Sequence, residues 1–220
     1  IFDKLPDSLE GLKPVLLYPF FGILLIGAIL IFIVNPPVAA LNGGITNLLN
    51  SMGSTSKVLL GLVLGGMMAI DMGGPFNKAA YVFGTASLAT GNNDIMAAVM
   101  IGGMVPPLAI ALATTFFKNK FTSRERQSGI TNYIMGISFI TEGAIPFAAA
   151  DPLRVIPSCV IGSAVAGGLS MFFGCQTLAP HGGLFVVPVM TNPFMFVVSL
   201  IIGALVGMVL LGVLKKTLDR

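Results

Sequence analysis

Glu142, Asp151 and Arg154 sit within residues 140–154 (ITEGAIPFAAADPLR), in a part of the chain that is otherwise almost free of charge. An ionisable side chain in lipid-embedded structure costs roughly several kcal/mol unless it pairs or faces water, so it marks a functional site by default. Glu142 is followed by Gly143 and then by Pro146, a combination that interrupts a helix and frees backbone groups. Membrane proteins accept freed backbone only where protein or a wet cavity satisfies it, so this stretch reads as the turn of a re-entrant or broken helix at a polar site. Two further polar islands share that character: residues 71–78 (DMGGPFNK) and residues 179–183 (APHGG). Each joins a titratable or amide side chain to Gly or Pro. Carboxylate, amide and imidazole groups beside loosened backbone can hydrogen-bond the hydroxyls of a polar, neutral ligand such as a sugar.

Each residue also has a plainer reading. Asp151 precedes Pro152, which suits the N-cap of the next helix better than a ligand contact, and Arg154 suits a structural pair with Asp151 or a place at the interface. Asp71 and Lys78 fit a buried ion pair holding two half-helices as well as they fit a substrate role. His181 is the single histidine; its Pro and Gly neighbours leave both a turn and a binding role open. Glu142 has no local cation in the sequence, and here function outweighs structure.

The elements that position these groups belong to a membrane protein. The 220 residues are 55% hydrophobic and 10% charged, with a mean hydropathy of +0.93, far from the composition of a soluble domain. The net charge of +3 is small and comes from loops, so it bears on topology and gives no case for nucleic-acid binding. Cys159 and Cys175 lie in apolar surroundings without CxxC spacing and read as inert core thiols. With one histidine and no HExxH, a metal site is not expected. The chain opens at Ile1 without a signal-like segment and reads as a piece of something longer.

Residues 16–34 supply an apolar run of spanning length. Asn35 and Pro36 then suit the start of a new helix. Apolar Val38, Leu41, Ile45, Leu48 and Met52 stand opposite Asn42, Thr46, Asn47 and Asn50, which predicts an amphipathic helix at the membrane surface. Residues 57–72 and 77–89 form one broken element or a hairpin around Asp71, Gly73, Gly74 and Pro75. After a turn at residues 91–94, residues 95–117 make a span, with a kink expected at Pro106 and Pro107. Lys118, Lys120, Arg124 and Arg126 follow at once, and Lys215, Lys216 and Arg220 close the chain. Basic clusters beside spans mark the cytoplasmic side, so the crossings between them number evenly. Residues 155–173 and 193–214 supply two. Residues 129–150 should therefore dip into the membrane and return, with residues 177–191 at the opposite end or folded back inward.

Four motifs carry a resemblance across nearly the whole chain: GGPFNKAA (residues 73–80), MVPPLAIALAT (104–114), ITEGAIPFAAADPLRVIPS (140–158) and APHGG, in that order. Together they resemble the membrane subunit, enzyme IIC, of bacterial phosphoenolpyruvate-dependent sugar phosphotransferase systems, in the fructose branch of the fructose and mannitol family. The resemblance implies that Glu142 binds sugar hydroxyls with His181 as a second contact, and Asn77, Asp71, Lys78 and Thr141 complete the expected substrate-binding set. It implies fructose or a close relative as substrate, a IIB phosphocarrier partner, a homodimer and a multi-pass place in the bacterial cytoplasmic membrane. No cofactor is expected. Enzyme IIC domains of this branch have further N-terminal spans, so residues 1–220 are expected to be the C-terminal portion of one such domain. The phosphocysteine loop of IIB and the histidine of IIA are absent, so phosphoryl-transfer residues are expected on partners.

The expected fold is all-α, polytopic, with broken or re-entrant helical hairpins. One rival is an ion-coupled secondary transporter using Asp71, Glu142 and Asp151 at a broken-helix midplane. Another is an intramembrane enzyme with Glu142 and His181 as acid and base.

Overall fold

A computed structural model describes residues 11–34, 36, 40 and 57–218. The surface helix expected over residues 38–52 lies outside the described residues, apart from Ala40. By its contacts the chain divides into two units, Ile1–Asn47 and Leu48–Arg220. The first holds α1 (Tyr18–Ile29), extended at both ends by looser helical turns, Lys13–Leu17 and Leu30–Val34. Its apolar side chains are exposed on all sides, the condition of a helix that is solvated by lipid.

The second unit is all-α among its described residues: α2 (Lys57–Ile70), α3 (Pro75–Ala89), α4 (Asn93–Phe116), α5 (Ser123–Ile137), α6 (Ile145–Ala150), α7 (Pro152–Phe172) and α8 (Pro193–Leu214). With Lys13–Ile33, the helices α4, α7 and α8 are long and apolar enough to cross a membrane. The central shaft is α4, most of whose length is buried by its neighbours. Close approach depends on small residues, as expected where helices associate without a hydrophobic drive. A Cβ at Gly102 would come within 2.6 Å of the Cα of Gly65 on α2, and one at Gly162 of α7 within 2.6 Å of the Gly203 carbonyl on α8.

Pro106 and Pro107 interrupt neither end of α4, which runs on through both of them. Lacking N–H groups, they leave the carbonyls of Gly102 and Gly103, four residues earlier, without helical donors. Two side-chain hydroxyls take their place. Ser163 Oγ on α7 donates to the Gly102 carbonyl and Thr141 Oγ1 to the Gly103 carbonyl, both at 2.8 Å.

Ion pairs and loop contacts fix which element ends lie together. Lys57, opening α2, reaches Asp94 in the first turn of α4 at 2.7 Å, and α3 runs back to the same end through the turn before α4. So α2 and α3 form a hairpin that enters and leaves at the α4 N-terminus. At the opposite, basic end, Lys215 after α8 meets Glu125 in the first turn of α5 at 3.3 Å and Asp151 before α7 at 3.8 Å. The segment from α5 to α6 therefore also leaves and returns at one end, as the count of crossings requires. At about 1.5 Å per residue, α2 and α5 reach about 21 to 23 Å, short of a hydrocarbon core of about 30 Å. They are re-entrant arms entering from opposite ends.

Candidate functional site

The two hairpins meet near the middle of α4. Thr141 is bonded to Gly103, the eleventh residue of the 24-residue helix. Both breaks carry strained backbone: Met72 has φ +47 and Gly73 φ +122 between α2 and α3, and Phe139 has φ +61 between α5 and the 3-10 turn Thr141–Ala144. Left-handed conformations in large residues persist where the surroundings over-determine them, and they gather at functional sites. A Cβ at Gly73 would lie 3.0 Å from Glu142 Oε1, so the two breaks touch.

Between them is a cavity of about 210 Å³, lined by Met68, Asn77, Lys78, Tyr81, Phe139, Thr141, Glu142 and His181. It falls below the roughly 300–1,000 Å³ that accommodates drug-sized ligands, a size suited to a single small polar molecule. Five of the six expected binding residues converge here. Asn77, third residue of α3, is buried and donates Nδ2 to the Met68 carbonyl at 2.8 Å, which ties the two arms of the first hairpin. That carbonyl lies in the last turn of α2, where helical donors run out. Lys78 Nζ stands 3.7 Å from Glu142 Oε1, joining one hairpin tip to the other, with both side chains about half exposed to the cavity. Glu142 has no cation near it in the sequence, and its partner is distant in the chain, supplied by the opposing hairpin.

His181 arrives from the loop between α7 and α8. The base of this loop lies at the far end, closed by the Gln176 and Thr191 backbone bridge and by Thr177 N–H donating to the Asn93 carbonyl at 3.2 Å. Its tip folds inward. Gly183, with φ +59, packs against the Ile137 and Phe139 backbone at the end of α5, where a Cβ would lie 2.9 Å from the Phe139 nitrogen. The imidazole then lies over the Phe139 ring, centroids 4.8 Å apart, with Tyr81 6.3 Å beyond that ring.

Asp71 is not among the lining residues. Its carboxylate accepts the N–H groups of Phe76 at 2.7 Å and Asn77 at 3.0 Å, capping the first turn of α3. The Asp71 and Lys78 ion pair does not form: Asp71 serves backbone, and Lys78 faces Glu142. Asp151 and Arg154 lie outside the cavity, joined at 3.0 Å and grouped with Lys215. The three carboxylates of an ion-coupled site are therefore not gathered in one place. Among the described residues no group of three His, Cys, Asp or Glu side chains is placed to hold a metal ion.

The chain finds counterparts in known proteins. The family described as "Phosphotransferase system, EIIC" matches residues 1–162. This chain belongs to that family. It is 58% identical over 216 residues to the PTS system fructose-specific EIIABC component of Bacillus subtilis, covering 98% of this chain and 34% of that protein. It is 57% identical over 220 residues to the fructose permease IIC component of Bacillus amyloliquefaciens, covering 100% of this chain and 72% of that protein. The PTS system fructose-specific EIIB'BC component of Escherichia coli is 47% identical over 216 residues, with 97% of this chain and 38% of that protein covered. The chain thus spans about a third of the fused relatives. No solved structure matches it.

Three lining residues of this EIIC chain escaped the sequence reading: Met68, Tyr81 and Phe139. Tyr81 is signalled by spacing, since residues 77, 78 and 81 share one face of a helix. Phe139 has no such signal. It lies two residues before the motif's threonine, and its importance rests on a backbone conformation that sequence does not display.

At the basic end, burial pushes the Glu125 carboxyl up, but the Thr122 backbone and side-chain hydrogen bonds and the Lys215 ammonium together hold it below its usual value. Thr122 and Glu125 form a reciprocal capping box at the start of α5.

Proposed function

We propose that this chain is the C-terminal portion of a larger enzyme IIC domain that binds fructose, or a close relative, from the outer side of the bacterial cytoplasmic membrane and passes it inward. A IIB partner phosphorylates the sugar as it is released at the basic, cytoplasmic end. The observation that carries this reading is the convergence of Asn77, Lys78, Thr141, Glu142 and His181 on one cavity at mid-height of α4. Glu142 accepts from sugar hydroxyls, His181 offers one donor and one acceptor as a neutral ring, and the apolar faces of Phe139 and Tyr81 exclude water. The names of the relatives, fructose permease and fructose-specific component, supply the sugar.

The physical logic needs no ion gradient. Phosphorylation lowers the free cytoplasmic sugar and adds charge, so the product does not recross an apolar barrier. The working unit is a homodimer, the family's expected assembly. Uptake of labelled fructose into vesicles containing the full-length permease tests the reading. Transport should depend on phosphoenolpyruvate and the soluble partners. Transport driven instead by a proton or sodium gradient would overturn it.

A further inference from the structure

Lys78 is placed against the electrostatics of its own helix. It is the fourth residue of α3, in the first turn, where the helix dipole favours anions and disfavours cations. It also lies at mid-depth of the bundle, where an ammonium group is costly. Among the described residues its ion-pair partner is Glu142 at 3.7 Å, beyond hydrogen-bonding distance, and no acceptor hydrogen-bonds Nζ. Three strong donors therefore point into a cavity whose other polar groups already suffice for hydroxyls: the Glu142 carboxylate, the Asn77 amide, the His181 imidazole and the Tyr81 phenol.

A neutral sugar has no need of a fixed positive charge. A phosphorylated sugar does, because a phosphate in this small cavity is repelled by Glu142 at close range. Lys78 and His181 are the basic groups of the lining, and Lys78 is the one that stands opposite Glu142. We propose that Lys78 is the phosphate-recognising group of the cavity. It stays beside Glu142 while the site is empty or holds neutral sugar, and turns to the phosphate monoester once the sugar bears one. Glu142 then repels the product that Lys78 holds, which keeps the hold transient. This inference rests on the proposed function, with the sugar still held by the cavity's residues when the IIB partner phosphorylates it.

The test is isothermal titration of purified full-length permease with fructose, fructose 1-phosphate and fructose 6-phosphate. Wild-type protein should bind fructose, and at least one monophosphate should compete with it. Lys78→Met should weaken that monophosphate by about tenfold or more, the worth of one charge-assisted hydrogen bond, and by several-fold more than it weakens fructose. Lys78→Arg keeps the charge and should retain most of the monophosphate affinity, which guards against a Met variant that fails to fold. Equal losses for fructose and monophosphate would make Lys78 a hydroxyl contact and overturn the proposal. So would a wild-type protein that binds fructose with no competition from either monophosphate. A wild-type protein that does not bind fructose would overturn the proposed function itself, a result distinct from both.

Discussion

Thr141 donates its hydroxyl to the Gly103 carbonyl at 2.8 Å, the carbonyl that Pro107 leaves without a helical donor. A proline in the central helix thus creates the acceptor that seats the tip of the Glu142 hairpin. Pro106 does the same for Ser163 through Gly102. The two bonds are alike in length and burial, but one lies beside the cavity and the other between packed helices.

That likeness gives a matched pair of substitutions. Thr141→Val and Ser163→Ala each strand a buried carbonyl, and each should cost about 1–3 kcal/mol of stability. Fructose affinity should fall only in Thr141→Val, because only there is Glu142 displaced, and Thr141→Ser should recover it. Affinity measured beside melting temperature checks this; equal affinity in Val and Ser variants would separate Thr141 from the site.

Glu142→Gln keeps the shape of the side chain and removes its charge. Hydrogen bonds from sugar hydroxyls to a carboxylate are stronger than those to a neutral amide, so fructose affinity should fall by about tenfold or more. The variant should remain folded, since the 3.7 Å pair with Lys78 is half exposed and worth little. Unchanged affinity in monodisperse variant protein would sink the assignment.

At the basic end, Glu125 is held below its ordinary value of 4.5 in the folded chain. A depressed carboxyl contributes stability that is present above the unfolded value and is lost as pH falls through the folded one. Melting temperature should therefore drop more steeply below about pH 4.5 in the wild type than in Glu125→Gln, while at neutral pH the variant should be the less stable. Parallel pH profiles for the two proteins would show that the Lys215 and Thr122 contacts carry no net stability.

Much of this was legible in the sequence, for identifiable reasons. Spanning helices declare themselves by length and apolarity, and the basic residues after α4 and α8 determined the parity that makes residues 129–150 a hairpin. Charge in lipid is so costly that Glu142 and Lys78 could be singled out without coordinates. Their pairing could not be, because 64 positions separate them and only the meeting of two opposed hairpins brings them together. Asp71 misled for a related reason. A carboxylate before Gly-Gly-Pro serves a ligand or caps a helix with the same local sequence, and only the bonds to Phe76 and Asn77 decide between them. The acceptors at Gly102 and Gly103 were implied by the two prolines, but their donors come from 61 and 38 residues away, respectively.

His181 is the residue whose structural and binding roles are hardest to separate, and its surroundings show how to test them apart. The turn that carries it is made by Gly182 and Gly183, with φ of +128 and +59, conformations that glycine adopts without strain. The imidazole is not needed to form that turn, and its ring contact with Phe139 can be replaced in part by any flat side chain. If the ring binds sugar, His181→Gln should keep part of the affinity through its amide and His181→Ala should lose more, while both melt close to the wild type. Gly183→Ala should behave oppositely, since its Cβ would press on the Phe139 nitrogen at 2.9 Å: the loop should unseat, lowering stability first and affinity as a consequence. Affinity and melting temperature measured together for the three variants distinguish the roles, and normal fructose affinity in His181→Ala would remove the imidazole from the binding site.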